Sequence, residues 1–390
     1  MHPHRKMNVE RRACHACERE PMGDLIEAVH IAREQLRRIC TATGLIDQQD
    51  GIITLFTGLC TSAGLLRLPI PPRWSGMTDD CTPMELSTSF DAKGTRIRFL
   101  IEAQADPPCP QTYWAAGERL CEQFAGIRGV DLAPLEALAD LFRPTDTAAL
   151  FAMWHAVDWR GSAAPLCKVY FNPAARGRSA SSDLIAAALE RLGFGHVSGS
   201  LLEVLGDMTT HLAVDLVPAS MARVKIYVRH FQAAPAEFDR RAERIGITSG
   251  LGFADACRII CRSADALQER PAMTCYHLNA GDRSGPSAMT LYLPLYPYAA
   301  SDKVAAERIA ALLTEAGLQA DEYRRVADAL LAGREADSDG LHTYVGFRRS
   351  IGGVQGDQIT SYFSPTLFQP RFGRLALDPD RFWPSAVPPV

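Results

Sequence analysis

Arg223-Val224-Lys225-Ile226-Tyr227-Val228-Arg229 constrains the fold of this chain more than any other segment. Strict alternation puts Arg223, Lys225, Tyr227 and Arg229 on one face of a strand and the three aliphatics on the other. Like charges spaced two residues apart repel, so water, neighbouring carboxylates or an anionic ligand has to stand opposite them. The strand type recurs. Lys168, Tyr170 and Asn172 oppose Val169 and Phe171, and Arg96, Arg98 and Glu102 oppose Ile97, Phe99 and Ile101. Two later segments carry polar and aromatic faces without cations, one with Thr290 and Tyr292, the other with Gln358, Thr360 and Tyr362.

The strands fall into five predicted hairpins: about 83–90 with 96–103, 151–158 with 167–172, 211–217 with 223–230, 273–277 with 288–295, and 344–348 with 358–364. The first is closed by Asp91-Ala92-Lys93-Gly94, a short turn with glycine. An apolar stripe through Leu25, Val29, Ala32, Leu36 and Ile39 predicts a helix ending near Gly44, and a second follows over about 48–65. Helical stretches at about 114–142, 182–192, 234–261 and 303–331 separate the hairpins. The chain therefore reads as an α+β fold built from five αββα repeats, its ten antiparallel strands closed into one barrel with helices around the outside. Closure removes exposed edges and leaves the polar faces lining the lumen, which at about ten strands is too wide for side chains to fill. An open sheet with its polar face in water carries the same alternation; the repeated pairing of lysine or arginine with tyrosine favours the lumen.

With 390 residues, 47% hydrophobic, and a net charge of −4, the chain has ample core material and no nucleic-acid-binding bias. A single domain over 22–370 is expected, with an N-terminal extension at 1–21 and a tail at 371–390. No apolar run approaches the roughly 18 residues of a membrane span, and no signal-peptide pattern opens the chain, so a cytoplasmic monomer is expected. Eleven cysteines, scattered singly as at Cys60, Cys121, Cys167 and Cys275, suit reduced thiols. Cys14-His15-Ala16-Cys17 has no second ligand pair nearby, so no metal is expected there.

With these residues in this order, the chain resembles the aromatic prenyltransferases of the dimethylallyltryptophan synthase type over about Leu25 to Phe368. The marks are Thr82-Pro83-Met84-Glu85, Arg98, Lys168-Val169-Tyr170, Arg223-Val224-Lys225-Ile226-Tyr227, Tyr292 with Pro294 after it, and Tyr362. The resemblance implies a barrel of αββα units, the PT barrel. It also implies transfer of a dimethylallyl or longer prenyl group, such as geranyl, from its diphosphate to an indole, in secondary metabolism. Preorganised cations in a water-poor lumen stabilise a departing diphosphate, and the candidates are Arg98, Lys168, Arg223 and Lys225, with Gln358 as a neutral diphosphate-binding neighbour. Tyrosine rings shield an allyl cation through cation–π contact and exclusion of water, which assigns Tyr170, Tyr227, Tyr292 and Tyr362. Glu85 matches the family position that accepts a hydrogen bond from the indole N–H, and His155 is a candidate proton acceptor. No cofactor is expected. Asp79-Asp80 has only a superficial likeness to magnesium-binding aspartate pairs, so Mg²⁺ is not expected to be essential.

Two departures stand out. Gln358 replaces a residue that is basic in many members, and Thr290 stands near a position that carries glutamine or lysine. Moreover, 211–217 lacks the arginine with which fungal members hold the carboxylate of tryptophan. A tryptophan-derived acceptor with a masked carboxylate, such as an indolactam or cyclic dipeptide, is therefore expected slightly ahead of tryptophan. Prenylation of a phenolic acceptor, and a non-catalytic carrier of an anionic metabolite, remain as alternatives.

Overall fold

The computed structural model describes residues 25–69, 75–146, 149, 151–161, 164–197, 201, 205, 208–248, 250–263, 265–282, 284–353 and 356–368. The Cys14/Cys17 segment, the extension at 1–21 and the tail at 371–390 lie outside them. Two short strands, β1 (Leu25–Ile26) and β2 (Leu68–Pro69), pair with each other apart from the main sheet. The other ten are β3 (Met84–Asp91), β4 (Gly94–Glu102), β5 (Met153–Trp159), β6 (Leu166–Phe171), β7 (Met208–Asp215), β8 (Arg223–His230), β9 (Ala272–Asn279), β10 (Ala288–Pro294), β11 (His342–Ser350) and β12 (Gln358–Phe363). They close into one barrel in chain order, with β12 pairing β3. This is the ten-stranded antiparallel barrel the alternation predicts.

Register fixes which side chains share the lumen. Ser87 pairs with Arg98 and Arg98 with Asp158, while Lys168 sits between Ala156 and Asp215, so these residues point inward together. The alternate residues, among them Leu86, Phe99, Val169, Phe171, Ile226 and Phe347, are buried against the surrounding helices. Phe56 of the helix Gln49–Ser62 meets Phe99 edge-on at 5.1 Å, and Phe142 stacks on Phe171 at 4.9 Å. Most of the apolar core therefore lies between barrel and helices, leaving the lumen polar and aromatic.

The long predicted helices are broken. The stretch over 114–142 becomes Pro110–Ala125 followed by two single turns, 234–261 becomes Pro235–Arg244 and Phe253–Cys261, and 303–331 becomes Asp302–Glu315 and Asp321–Leu331. Gly246 (φ 88°) and Gly317 (φ 71°) take the left-handed conformation that ends a helix, which lets each pair of helices fold back over the curved barrel. Among the described residues no helix is long and apolar enough to cross a membrane, and the nine cysteines are all free thiols.

Candidate active site

The lumen is layered along the barrel axis. At one end Arg96 and Arg98 of β4, Lys168 of β6, Arg223 and Lys225 of β8 and Arg348 of β11 converge on one cavity. Carboxylates are interleaved with them. Asp215 reaches Arg223 Nε at 2.8 Å, Asp91 reaches Arg96 at 2.5 Å, and Asp158 reaches Arg160 at 3.1 Å. Lys168 is different. Its ammonium is buried with Asp215 at 3.8 Å and Asp158 at 4.0 Å, both beyond hydrogen-bond distance, and no described residue accepts from it. Burial pushes its pKa down to about 8, against the support of Asp215. A buried ammonium with no hydrogen-bond acceptor among the described residues, set beside guanidiniums, suits the oxygens of an anion.

Lys225 is also driven well below the usual lysine range, by burial first and then by Arg223 and Lys168. His277, its partner across β9, is pushed down by burial and by Lys225, and its Nε2 lies 2.9 Å from the Thr290 hydroxyl. Burial alone would push Asp158 up, yet Lys168, Arg98, Arg160 and Arg96 together hold its carboxyl well below the ordinary range. Arg98 keeps its charge despite burial, helped by Tyr362, whose hydroxyl accepts from its Nη2 at 3.0 Å.

Gln358 faces the same cavity and donates to Thr360 at 3.3 Å. Arg348 pairs with Thr290 on one side and Gln358 on the other, so it brings a guanidinium between the two positions where the sequence looks poor in cations. Sequence reasoning puts Arg96 on a polar strand face without assigning it to the site, and it does not single out Arg348, Asp158 or Asp215. The signal for Arg348 is its place two and four residues beyond Gly346 and Tyr344 on one face of β11, obscured because Arg349 follows it and points out toward Phe253.

The four tyrosines form the next layer. Their ring centroids run in sequence around the wall: Tyr170 to Tyr227 at 5.9 Å, Tyr227 to Tyr292 at 5.6 Å, and Tyr292 to Tyr362 at 5.8 Å. Burial raises the pKa of every one of these phenols, so the rings stay neutral. Arg98 lies 5.6 Å from the Tyr362 centroid and ties this layer to the cationic one.

Beyond the tyrosines Glu85 points inward and accepts from the Thr343 hydroxyl at 2.8 Å. Burial raises its pKa to about 8, the Thr343 bond opposing and Asp79 adding to the rise. Phe151, Trp154 and His211 form an aromatic wall, with Trp154 4.4 Å from Phe151 and 4.8 Å from His211. Arg270 holds Asp79 through two bonds of 2.6 Å and lies 4.8 Å from the Tyr344 centroid. Arg229 projects into the same end of the lumen. Burial weakens its charge, Tyr344 supports it, and Arg270 opposes it.

One expectation is corrected here. His155 faces outward, because it pairs with Ile101 and Val169 on the helix-facing side of β4 and β6. It is fully buried, its Nε2 lies 3.2 Å from Cys121 Sγ, and Phe124 meets it edge-on at 5.6 Å, so it has no access to a substrate in the lumen. Asp79-Asp80 is no open metal-binding pair. Asp79 is taken by Arg270, and Asp80 clasps the segment after β12 by accepting from Ser364, Phe368 N–H and the hydroxyls of Thr78 and Thr82. Among the described residues no group of three or more His, Cys, Asp or Glu is arranged to hold a metal ion.

The comparisons agree with this geometry. The sequence model of the tryptophan dimethylallyltransferase family matches residues 59–243. The 5-dimethylallyltryptophan synthase of Streptomyces coelicolor is 27% identical over 88% of this chain and 98% of its own, with a TM-score of 0.77. The 6-dimethylallyltryptophan synthase of Micromonospora olivasterospora, solved with DMASPP and Trp, is 28% identical over 88% of this chain and 99% of its own, with a TM-score of 0.76. The prenyltransferase PriB, in a ternary complex with L-tryptophan and dimethylallyl thiolodiphosphate, is 25% identical over 90% of this chain and 100% of its own, with a TM-score of 0.77. The chain is an aromatic prenyltransferase of the dimethylallyltryptophan synthase type.

Proposed function

We propose that the enzyme transfers a dimethylallyl group from dimethylallyl diphosphate to an indole carbon of L-tryptophan, without a required metal ion. The observation that carries the reading is the buried Lys168 ammonium with no hydrogen-bond acceptor, set among arginines directly beside the four-tyrosine wall. The cationic layer takes the diphosphate, and its donors strengthen as the C1–O bond breaks and charge moves onto the leaving oxygen. The tyrosine faces receive the allyl cation, and Glu85 accepts from the indole N–H, which raises electron density in the ring.

On this reading the acceptor is tryptophan itself rather than a masked derivative. The arginine absent from 211–217 has a counterpart in Arg229, at the acceptor end with Arg270, where two guanidiniums stand near Asp79 and Tyr344. That excess of positive charge suits an α-carboxylate. The cationic side chains take over the role magnesium plays for diphosphates elsewhere. On this reading the protein works as a monomer in the cytoplasm with small molecules as its only partners.

The test is mass spectrometry of products from dimethylallyl or geranyl diphosphate with L-tryptophan, tryptophol, cyclic Trp dipeptides and phenols, with and without chelator. Prenylated tryptophan at the highest kcat/KM, undiminished by chelator, is expected. A cyclic dipeptide ranking first restores the masked-carboxylate acceptor, and loss of activity in chelator that Mg²⁺ reverses refutes metal independence.

A further inference from the structure

Attack of an indole carbon on the allyl cation leaves that carbon carrying both hydrogen and the new prenyl group, so the product forms only when the hydrogen leaves as a proton. The inference that follows rests on the carbon prenylation proposed above. The acidic groups at the acceptor end are already engaged. Asp79 is held by Arg270, Glu85 accepts from Thr343, and Glu102 is fully buried and accepts from Ser75 at 2.7 Å. His155 lies outside the barrel wall. Among the described residues, the remaining base on the lumen face at this end is His211.

A bulge in the β7–β8 pairing between Thr209 and His211 re-aims this stretch, and His211 then pairs with Tyr227. Its ring lies 5.6 Å from Tyr227 of the cation shield, 4.8 Å from Trp154 and 5.0 Å from Phe151 of the acceptor wall. It therefore stands on the boundary where donor carbon and acceptor carbon meet. Its neighbour defines the tautomer. The Thr210 hydroxyl donates to the Tyr227 carbonyl at 3.5 Å, which leaves its oxygen to accept from His211 Nδ1–H at 2.9 Å. The lone pair is then on Nε2, which has no hydrogen-bond partner among the described residues.

We propose that His211 is a catalytic base of this enzyme, its Nε2 taking the proton from the alkylated ring carbon. The electrons balance. The C1–O pair leaves with diphosphate, an indole π pair forms the new C–C bond, and the C–H pair returns to the ring. The proton passes to Nε2 and then to water, driven off by the nearby Arg229 charge. Burial, with Arg229, holds the free imidazole neutral, its pKa pushed down to about 3. Weak basicity suffices because the ring cation is a far stronger acid, and a neutral ring does not repel an arriving allyl cation.

The experiment compares wild type, His211→Gln and His211→Ala with ordinary and indole-ring-deuterated L-tryptophan. Expected are little isotope sensitivity in the wild type and a kcat lower by about 10²-fold or more in both variants. A primary isotope effect should appear in the variants as proton removal becomes slow, with imidazole partly restoring His211→Ala. Thermal melting and an unchanged KM for His211→Gln exclude misfolding as the cause. Variants that keep wild-type kcat, or lose it with neither isotope effect nor rescue, overturn the assignment. A wild type that makes no prenylated tryptophan refutes the acceptor reading, and this assignment with it.

Discussion

Glu85 yields the sharpest prediction, because its proposed role requires a carboxylate while burial favours the acid. Burial raises its pKa to about 8, so at pH 7 only about one-tenth is ionised, a cost of about 1.4 kcal/mol. At saturating donor kcat/KM for L-tryptophan, which reports the donor complex, should therefore rise close to tenfold per unit from about pH 6 and level off above about pH 8. Saturating donor matters, since Lys168 loses its proton in the same range and would otherwise bend the profile. Glu85→Gln keeps the acceptor to Thr343 but cannot ionise. Its plateau should fall by about 10² to 10⁴-fold and its profile should lose the acid limb. A flat wild-type profile, or a variant that keeps the slope, refutes the argument that Glu85 acts as the anion.

Lys168→Gln should raise KM for dimethylallyl diphosphate by about 10 to 100-fold, the equivalent of one lost charge-assisted bond of about 1.5–3 kcal/mol, with steady-state kinetics as the check and an unchanged KM as the contrary result. Donor binding should take up protons near pH 8, because the diphosphate recharges Lys168 and Lys225; calorimetry in buffers of different ionisation enthalpy reads this, and a buffer-independent heat contradicts it. Glu102, raised to about 8 by burial, keeps its proton in the folded state after the unfolded chain has lost it at 4.5, so its contribution to stability is lost as pH rises through that window. Glu102→Gln should therefore gain on the wild type with rising pH, by at most about 1.4 kcal/mol per unit, and melting curves that stay parallel from pH 5 to about 8 would count against it.

The barrel was legible because most of its strands are chemically two-faced. Where cations and tyrosines alternate with aliphatics, as in Lys168-Val169-Tyr170 and Arg223 to Arg229, parity alone tells lumen from core. β5 offers no such contrast. Met153-Trp154-His155-Ala156-Val157 is apolar on both faces, so nothing in it shows that Trp154 and Asp158 point inward while His155 points out. The pairings of Arg98 with Asp158 and of Lys168 with Ala156 set that parity, and pairing is a tertiary fact. Arg270 is less legible still. It lies between elements, and its place over Tyr344 depends on Asp79 from a loop almost two hundred residues away. The helix breaks at Gly246 and Gly317 carry a local signal, but one that stripe-reading passes over.

The split between arginines and lysines in the cationic layer has a physical reason. Six cations in one buried layer would be costly if all were permanent, and three carboxylates do not offset them. The arginines keep their charge when buried, although like charges and burial pull Arg348 down to about 10. Arg98 is held with Tyr362, Arg223 with Asp215, and Arg96 with Asp91. The lysines are the adjustable part, since burial pushes both toward neutrality and a diphosphate beside them opposes that push. Their response grows with the negative charge in front of them, and that charge is greatest once the C1–O bond has broken. Lysines in this setting therefore stabilise the departing diphosphate more than the intact donor, which is the differential binding that accelerates the step.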